Sequence, residues 1–342
     1  MRFDFLSGGV NGATKPAHIS YLVLFLMLVL AAWLHLATPL LTALFAYFAL
    51  SKLDLFRRKW IAVTLFALLV LGIFYGFGYF VKQAVEALPK VASTAIPPMV
   101  DYAKAHGFDL PFEDLESLKA LILDTIKDEL RSVGNFARVA TKEFVFVVIG
   151  IIVAVSLFFN PRMDLDRGHY RVKNNLYSAL CEQIAARFTA FYRSFAIVMG
   201  GQLIISAINT ALTAGFVMAI SLPHRVVVIG VTFLAGLLPI VGNLISNAII
   251  VGIAFTKSPR LAILALIFLI VLHKLEYFLN SKIIGHRIKN PVWLTLLGLI
   301  LGERLMGVPG MILAPVILHY LKMEASQIEI HAKDETPAAV EE

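Results

Sequence analysis

The sequence has few charges and almost no cysteine. Of its 342 residues, one is cysteine (Cys181) and 15% are Asp, Glu, Lys or Arg, against about 25% charged residues in soluble proteins. A single cysteine excludes an intrachain disulfide framework. The hydrophobic fraction is 59%, above the roughly 45–50% of soluble chains. This composition excludes a soluble enzyme, a fibrous protein and a disordered chain.

Charged residues are absent from long stretches of the chain. One crossing helix needs roughly 20 apolar residues, so the sequence predicts an all-α polytopic membrane protein with about 6–8 transmembrane helices and a small helical extramembrane segment. The longest stretches without Asp, Glu, Lys or Arg are 19–50, 60–81, 144–160, 194–222 and 226–256.

Signatures of catalysis and of nucleotide or metal binding are missing. The sequence contains no phosphate-binding P-loop, no G-x-S-x-G and no H-E-x-x-H, so we expect neither enzymatic activity nor a bound cofactor or metal. The net charge of +7 comes from basic residues in loops beside apolar runs, where the positive-inside rule places them. It therefore indicates a lipid bilayer as partner and not a nucleic acid.

Loop charge predicts the topology and the division of the chain. The basic loop 51–60 is expected in the cytoplasm. The run before it is interrupted at Thr38-Pro39, which predicts two spans and a cytoplasmic N-terminus. We expect the N-terminal membrane helices in 1–81.

The remaining segments follow the same logic. Segment 82–143 is more acidic than basic and is expected to be an extracytoplasmic helical segment whose start is broken by prolines. Segment 144–321 is the predicted C-terminal membrane transport region, with a cytoplasmic amphipathic helix near 174–193. Tail 322–342 is polar and is expected to be cytoplasmic and disordered.

Two long apolar blocks are interrupted in their middle. Block 226–256 is broken at Pro239-Ile-Val-Gly242-Asn243, and block 290–321 is broken from Gly302 to Gly310. Each block is either a re-entrant hairpin of two half-helices, which we favour, or a kinked simple span. Non-helical backbone at membrane depth survives only inside protein or beside a water-filled cavity. Paired interruptions are the best sequence indication of a transport site. The residues expected to form the turns are Gly285, Pro291, Gly302, Gly307, Pro309, Gly310 and Pro315.

Ionisable residues within apolar segments are costly and often functional. Lys274 and Glu276 interrupt one apolar run, and Glu303-Arg304 lies in the second break. We predict a polar cluster facing Asn243, with Glu276 able to accept a hydrogen bond from Arg304. The predicted substrate or translocation residues are Pro239, Gly242, Asn243, Glu276, Asn280, Glu303 and Arg304.

A polar stripe with helical spacing follows one predicted span. Its members, Gln202, Ser206, Asn209 and Thr213, are separated by four, three and four positions. Such a stripe either lines a path or binds a neighbouring helix. Helix packing is the simpler interpretation.

Two stretches carry a family resemblance. Residues 237–252 (LLPIVGNLISNAIIVG) resemble the L-x-P-x-x-G segment of the autoinducer-2 exporter family of permeases. Residues 273–321 resemble that family's C-terminal region, with Gly302, Gly307, Gly310, Met311, Ala314 and Pro315 fitting its glycine-rich run. Ser281 and Asn243 depart from the pattern, where relatives commonly have proline.

The resemblance implies an inner-membrane secondary transporter that exports a small polar solute. Loop charge predicts that both of its termini lie in the cytoplasm. The resemblance also implies a homo-oligomer such as a pentamer. Two alternatives stay open. One is a sodium (lithium)/proton antiporter that moves a monovalent cation on Glu276 or Glu303. The other is a non-transporting membrane scaffold.

Overall fold

The computed structural model describes residues 15–55, 57–105, 107, 116–117, 133–166, 168–172, 175–238, 241–283 and 291–328. Within these ranges every regular element is an α-helix, which confirms the all-α prediction. In chain order the described helices are α1 (Lys15–Trp33), α2 (Ala37–Leu53), α3 (Lys59–Ala105), α4 (Val133–Phe159), α5 (Leu176–Ala219), α6 (Arg225–Ala235), α7 (Val241–Phe255), α8 (Pro259–Ile283) and α9 (Val292–Ala325).

By length and composition alone, five of the described helices, α1, α3, α4, α5 and α9, could cross a membrane, but the length of α9 is divided at Gly307. The 17-residue α2 is only slightly shorter. The outward faces are apolar, with Leu71 65% exposed, Tyr75 80% and Ile152 61%. A soluble protein rarely exposes an apolar surface of this extent to water. These helices are therefore those of a multi-pass membrane protein.

Helices α1 and α2 form the two predicted N-terminal segments. The chain turns at His35, whose φ is 54°, and Pro39 lies in the first turn of α2, where its missing N–H has no helical partner. The two helices then pack on different partners, α1 on α5 and α2 on α4. The interruption at Thr38-Pro39 thus marks a helix start.

Helix α3 is longer than the sequence predicts. It extends without a break from Lys59 to Ala105, so Pro89, Pro97 and Pro98 lie inside it and the expectation that they break this segment was wrong. An internal proline removes one backbone hydrogen bond, and a helix survives this when the turns on both sides remain helical. Within the predicted extracytoplasmic segment, residues 106, 108–115 and 118–132 lie outside the described residues.

Helix α5 joins two elements that the sequence separated. The amphipathic segment predicted near 174–193 and the span after it form one helix of 44 residues, about 66 Å long. Asn175 caps its start by accepting a hydrogen bond of 2.8 Å from the Ser178 N–H. No proline occurs between 176 and 219, so nothing in the backbone ends the helix earlier.

Block 226–256 forms a helical hairpin. Helices α6 and α7 have 11 and 15 residues, about 17 and 23 Å, and neither is long enough to cross a hydrocarbon core of about 30 Å. They pack so closely that a Cβ on Gly242 would lie 1.6 Å from the Ala235 carbonyl oxygen. The two ends of the hairpin also meet, because Lys257 Nζ donates to the Ser221 carbonyl. The chain enters and leaves this hairpin on the same side.

Block 290–321 forms a second hairpin inside α9. Gly307 has a φ of 63° and divides the helix into a first arm (292–306) and a second arm (308–325). The arms pack against each other: a Cβ on Gly302 would lie 2.4 Å from the Gly310 carbonyl oxygen, and one on Gly298 would lie 3.1 Å from Leu318 Cδ1. Helix α9 is therefore a hairpin of two arms that pack against each other.

Helix α5 contacts both hairpins. Its N-terminal half packs with α1, α2 and α9 around Phe195, Met199 and Val316. Its C-terminal half packs on α6 and α8, where the Phe216 and Phe268 rings stack at 4.1 Å between centroids. Leu238, at the tip of the first hairpin, packs against the cluster that contains Val316. The two hairpin regions therefore meet beside the middle of α5.

Candidate functional site

A polar cavity lies between α5, the α6–α7 hairpin and α8. Each of these elements contributes side chains to its wall. The residues that line it are Asn209, Thr213, Thr232, Asn243, Ser246, Asn247, Ile250, Leu269, Leu272, His273 and Glu276. A polar lining among otherwise apolar helices is unusual for a site whose only role is packing.

Asn243 and Glu276 are joined across the cavity. Asn243 Nδ2 donates to Glu276 Oε1 at 2.8 Å and to Oε2 at 2.7 Å. Asn243 lies in the first turn of α7, so the carboxylate sits at a helix N-terminus, where the helix dipole favours negative charge. The sequence predicted that Glu276 faces Asn243, and the structure brings the two side chains together. Lys274, two positions earlier on α8, is exposed.

Helix α5 supplies the opposite wall. Asn209 and Thr213 are 4% and 0% exposed, and both line the cavity. Asn209 Oδ1 and Thr213 Oγ1 have no hydrogen-bond partner. A buried polar atom without a partner is costly, so these two atoms are the ones in the wall that a water or a ligand would satisfy.

The other half of the polar stripe has a packing role. Gln202 Nε2 donates to the Gly236 carbonyl at 2.6 Å, and Ser206 Oγ donates to the Phe233 carbonyl at 2.8 Å. These carbonyls belong to the C-terminal end of α6, where the helix itself leaves acceptors unpaired. The stripe therefore divides: Gln202 and Ser206 hold the first hairpin on α5, whereas Asn209 and Thr213 face the cavity.

The cavity is narrow in this conformation. It leaves about 10 Å³ for the centre of a water molecule, close to the roughly 10–15 Å³ that one water needs. A solute larger than water enters only if the surrounding helices separate.

Glu303 and Arg304 do not join this site. They lie in the first arm of α9 with their side chains 53% and 83% exposed, and Arg304 Nε is 3.8 Å from Glu303 Oε2. The expected bond from Arg304 to Glu276 is not formed: Glu276 accepts from Asn243 instead, and no residue of α9 is among the described lining residues of the cavity. A transport role for Glu303 and Arg304 stays a prediction without support from the cavity.

The other predicted residues divide between turns and undescribed positions. Pro291 precedes the first residue of α9, and Gly307 makes the turn in it. Gly302 and Gly310 form the contact between its arms. Gly242, predicted as a substrate residue, forms the close contact between α6 and α7.

Two predicted prolines also lie in α9. Pro309 and Pro315 are both in its second arm, and Pro309 stands in the first turn of that arm, where a proline is tolerated. Pro239 and Gly285 lie outside the described residues, and the side chain of Asn280, in α8, is not described either.

Sequence reasoning missed most of the cavity wall. Thr232, Ser246, Asn247 and His273 were not singled out, since isolated polar residues in apolar helices are common. Ser246 is 3% exposed, and its spacing of three from Asn243 was the available signal. In the part of the chain that is described, no group of three or more His, Cys, Asp or Glu side chains could hold a metal ion.

Interrupted helices around a polar cavity inside a multi-pass helical membrane protein define the class of membrane transporters. The chain belongs to the AI-2E family: the family model described as "AI-2E family transporter" matches residues 19–327. It is also similar to "Putative transport protein YdbI" of Bacillus subtilis (strain 168), with 24% identity over 296 residues, covering 82% of this chain and 83% of that protein. No solved structure matches the chain.

Proposed function

We propose that this transporter exports a small polar solute through the cavity between α5, the α6–α7 hairpin and α8. The observation that carries the proposal is the pair of buried atoms without partners, Asn209 Oδ1 and Thr213 Oγ1, opposite the Asn243–Glu276 contact. Family membership supports transport over a scaffold role. Autoinducer-2, the solute after which the resembling exporters are named, is the first substrate to test.

The membrane orientation is part of the proposal. The basic loop around Arg57 and Arg58 supports a cytoplasmic side next to α2 and α3, and hence cytoplasmic termini in the inner membrane. On this scheme the α6–α7 hairpin opens outward, and the α9 hairpin opens to the cytoplasm. The contact between Lys257 and Ser221 supports a re-entrant first hairpin, because a simple span would separate these residues by the membrane.

Cysteine labelling tests this orientation. Cys181 is 8% exposed, so its reaction with a polar maleimide should be slow. Introduced cysteines Arg57→Cys and Lys282→Cys should react only from the cytoplasmic side, and Lys257→Cys only from outside. Cytoplasmic labelling at position 257, or outside labelling at position 282, would disprove the re-entrant arrangement of α6–α7. Ser326→Cys, after α9, should also react only from the cytoplasmic side, and outside labelling there would disprove the re-entrant arrangement of α9.

Transport is tested with purified protein in liposomes loaded with a cell metabolite extract. We expect one or more small polar compounds to leave faster than from protein-free liposomes. Replacing Asn209 by Leu should slow this release by about tenfold or more, because a buried binding group is lost. Unchanged release by the variant would exclude the cavity as the path, and equal release with and without protein would exclude transport of these compounds.

One observation favours a second function. Glu276 places a carboxylate in the cavity, which sodium (lithium)/proton exchange requires, since one group must bind a proton and a cation in turn. A pH-sensitive dye inside the liposomes tests this alternative. Proton movement driven by sodium or lithium in the wild type, and its loss in Glu276→Gln, would support exchange; no movement would exclude it.

Oligomerisation is a further proposal, supported by the resemblance to homo-oligomeric relatives. Mass photometry in detergent would give the subunit number, and a single monomer peak at every protein concentration would contradict it.

A further inference from the structure

The described wall of the cavity holds several hydrogen-bond acceptors, one carboxylate and one imidazole, that of His273. Its one carboxylate, Glu276, is accompanied by no lysine or arginine among the lining residues that the structure describes. A carboxylate offers about four lone-pair positions, and Asn243 uses one on each oxygen. The carboxylate therefore still has acceptor capacity in the cavity.

Helix α5, which forms the opposite wall, also presents hydrogen-bond acceptors to the cavity. Asn209 Oδ1 can only accept a hydrogen bond, and it is buried without a partner. Thr213 Oγ1 is also free, and its hydroxyl accepts readily. The amide of Asn243, which would otherwise donate to an incoming ligand, is held by Glu276. Asn209, Thr213 and Glu276 therefore present free acceptor positions from both sides of the cavity, beside the side-chain N–H groups of Asn247 and His273.

From this arrangement we infer that the cavity selects solutes that carry several hydrogen-bond donors and no negative charge, and that Glu276 is the residue that excludes anions. The inference rests on the proposed function and names the chemical class of its substrate. Hydroxyl and amino groups meet the free acceptors of Asn209, Thr213 and Glu276. A carboxylate or phosphate brings further acceptors and a like charge.

Two features of the fold strengthen this exclusion. The dipole of α7 would attract an anion, but the Glu276 carboxylate already lies against the side chain of Asn243 in the first turn of α7. The cavity is also narrow, and like charges placed together with little water between them repel strongly. An anion would have to displace Glu276 before it could use the helix end.

Matched solutes test the inference. Liposomes containing the full-length protein are loaded with the metabolite extract together with ribitol, ribonate and 1-amino-1-deoxyribitol, which share a carbon skeleton, and release is followed by mass spectrometry. For the wild type we expect the released compounds to be uncharged or cationic, with ribonate at least about tenfold slower than ribitol. Release of ribonate as fast as ribitol would overturn the inference and leave the transport proposal intact.

Variants separate charge selection from general damage. Glu276→Gln keeps the size of the side chain and should raise the ratio of ribonate to ribitol release by about tenfold. Glu86→Gln, which removes the same charge from an exposed position on α3, should leave the ratio unchanged. An unchanged ratio in Glu276→Gln, with the variant folded by size-exclusion chromatography, would overturn the role of Glu276.

A second cavity variant guards against loss of folding. Thr213→Val is nearly isosteric and breaks no hydrogen bond, since Thr213 Oγ1 has no partner. It should slow the release of ribitol and leave the ratio of ribonate to ribitol as in the wild type. A changed ratio in Thr213→Val would contradict the assignment of charge selection to Glu276. If the wild type releases none of the compounds, the proposed function fails and this inference fails with it.

Discussion

The backbones of Gly302 and Gly310 touch, although an uninterrupted helix would hold residues eight positions apart at about 12 Å along its axis. A Cβ on Gly310 would lie 2.0 Å from the Gly302 carbonyl oxygen. This contact shows that α9 is a hairpin and not one long span. It also explains why glycine stands at both positions: any side chain would push the two arms apart.

Gly302→Ala should therefore destabilise the protein. The added methyl group would meet the Gly310 carbonyl, and overpacking of this kind costs about 1–3 kcal/mol. Thermal unfolding in detergent should show a lower midpoint. Gly76→Ala is the matched control, because nothing lies within 4 Å of its Cβ position on α3 and alanine is the better helix former. Equal effects of the two substitutions would contradict the hairpin contact.

A partly buried ion pair should hold the C-terminal end of α9 on α5. Arg187 on α5 pairs with Glu324, which also accepts a hydrogen bond of 2.7 Å from the Tyr21 hydroxyl of α1. Arg187→Met leaves the Glu324 carboxylate unpaired and should cost about 3 kcal/mol of unfolding free energy.

The double variant Arg187→Met, Glu324→Gln should recover part of that loss, because no unpaired charge remains. Chemical denaturation of the four members of this mutant cycle measures the coupling. Additive effects of the two single changes would show that the pair contributes nothing.

Anchoring of the first hairpin is expected to depend on Ser206. Ser206→Ala removes the donor to the Phe233 carbonyl and should destabilise by about 1 kcal/mol. Hydrogen exchange measured by mass spectrometry should become faster in α6 and stay unchanged in α4. Thr213→Val serves as the control, since Thr213 lies on the same stripe but has no hydrogen-bond partner to lose.

Tyr170, in the loop before α5, should make the stability of the protein depend on pH. Burial of the Tyr170 hydroxyl and its hydrogen bond to Asp164 raise the pKa of Tyr170 to about 12. A raised pKa means that the neutral phenol is favoured in the folded state, so its contribution to stability is complete below the ordinary tyrosine pKa of about 10 and disappears as the pH rises through the raised value.

In Asp164→Ala the pKa of Tyr170 should return toward 10.0, its ordinary value. Absorbance at alkaline pH, compared between the wild type, Asp164→Ala and Tyr170→Phe, isolates this one phenol. Identical titration curves for wild type and Asp164→Ala would contradict the effect.

The general architecture could be predicted because it depends on composition and local pattern. Long runs without charge predict membrane helices, and the breaks at Pro239–Asn243 and Gly302–Gly310 locate both hairpins. Helix lengths were less predictable. The prolines of α3 and the amphipathic start of α5 suggested boundaries that the folded chain does not have, because neighbouring turns keep the helix continuous.

Identical local patterns acquired different roles in the fold. Gly72 and Gly76 have the same spacing as Gly298 and Gly302, yet only the second pair meets other atoms of this chain within 4 Å. Glu276 and Glu303 both interrupt apolar runs, but Glu276 lines the cavity whereas Glu303 is exposed. The sequence cannot distinguish such pairs, since each residue's partners come from distant parts of the chain.

The amino-acid sequence by itself determined that this protein is an all-helical membrane protein with two interrupted apolar blocks, because hydrophobicity and helix breaking act over neighbouring residues. Only the tertiary structure decided which polar residues share a cavity. Asn209 on α5, Asn243 on α7 and Glu276 on α8 meet because α5 carries the first hairpin on Gln202 and Ser206. That arrangement depends on packing between helices far apart in the chain, and it places the one carboxylate of the described wall against the N-terminus of α7.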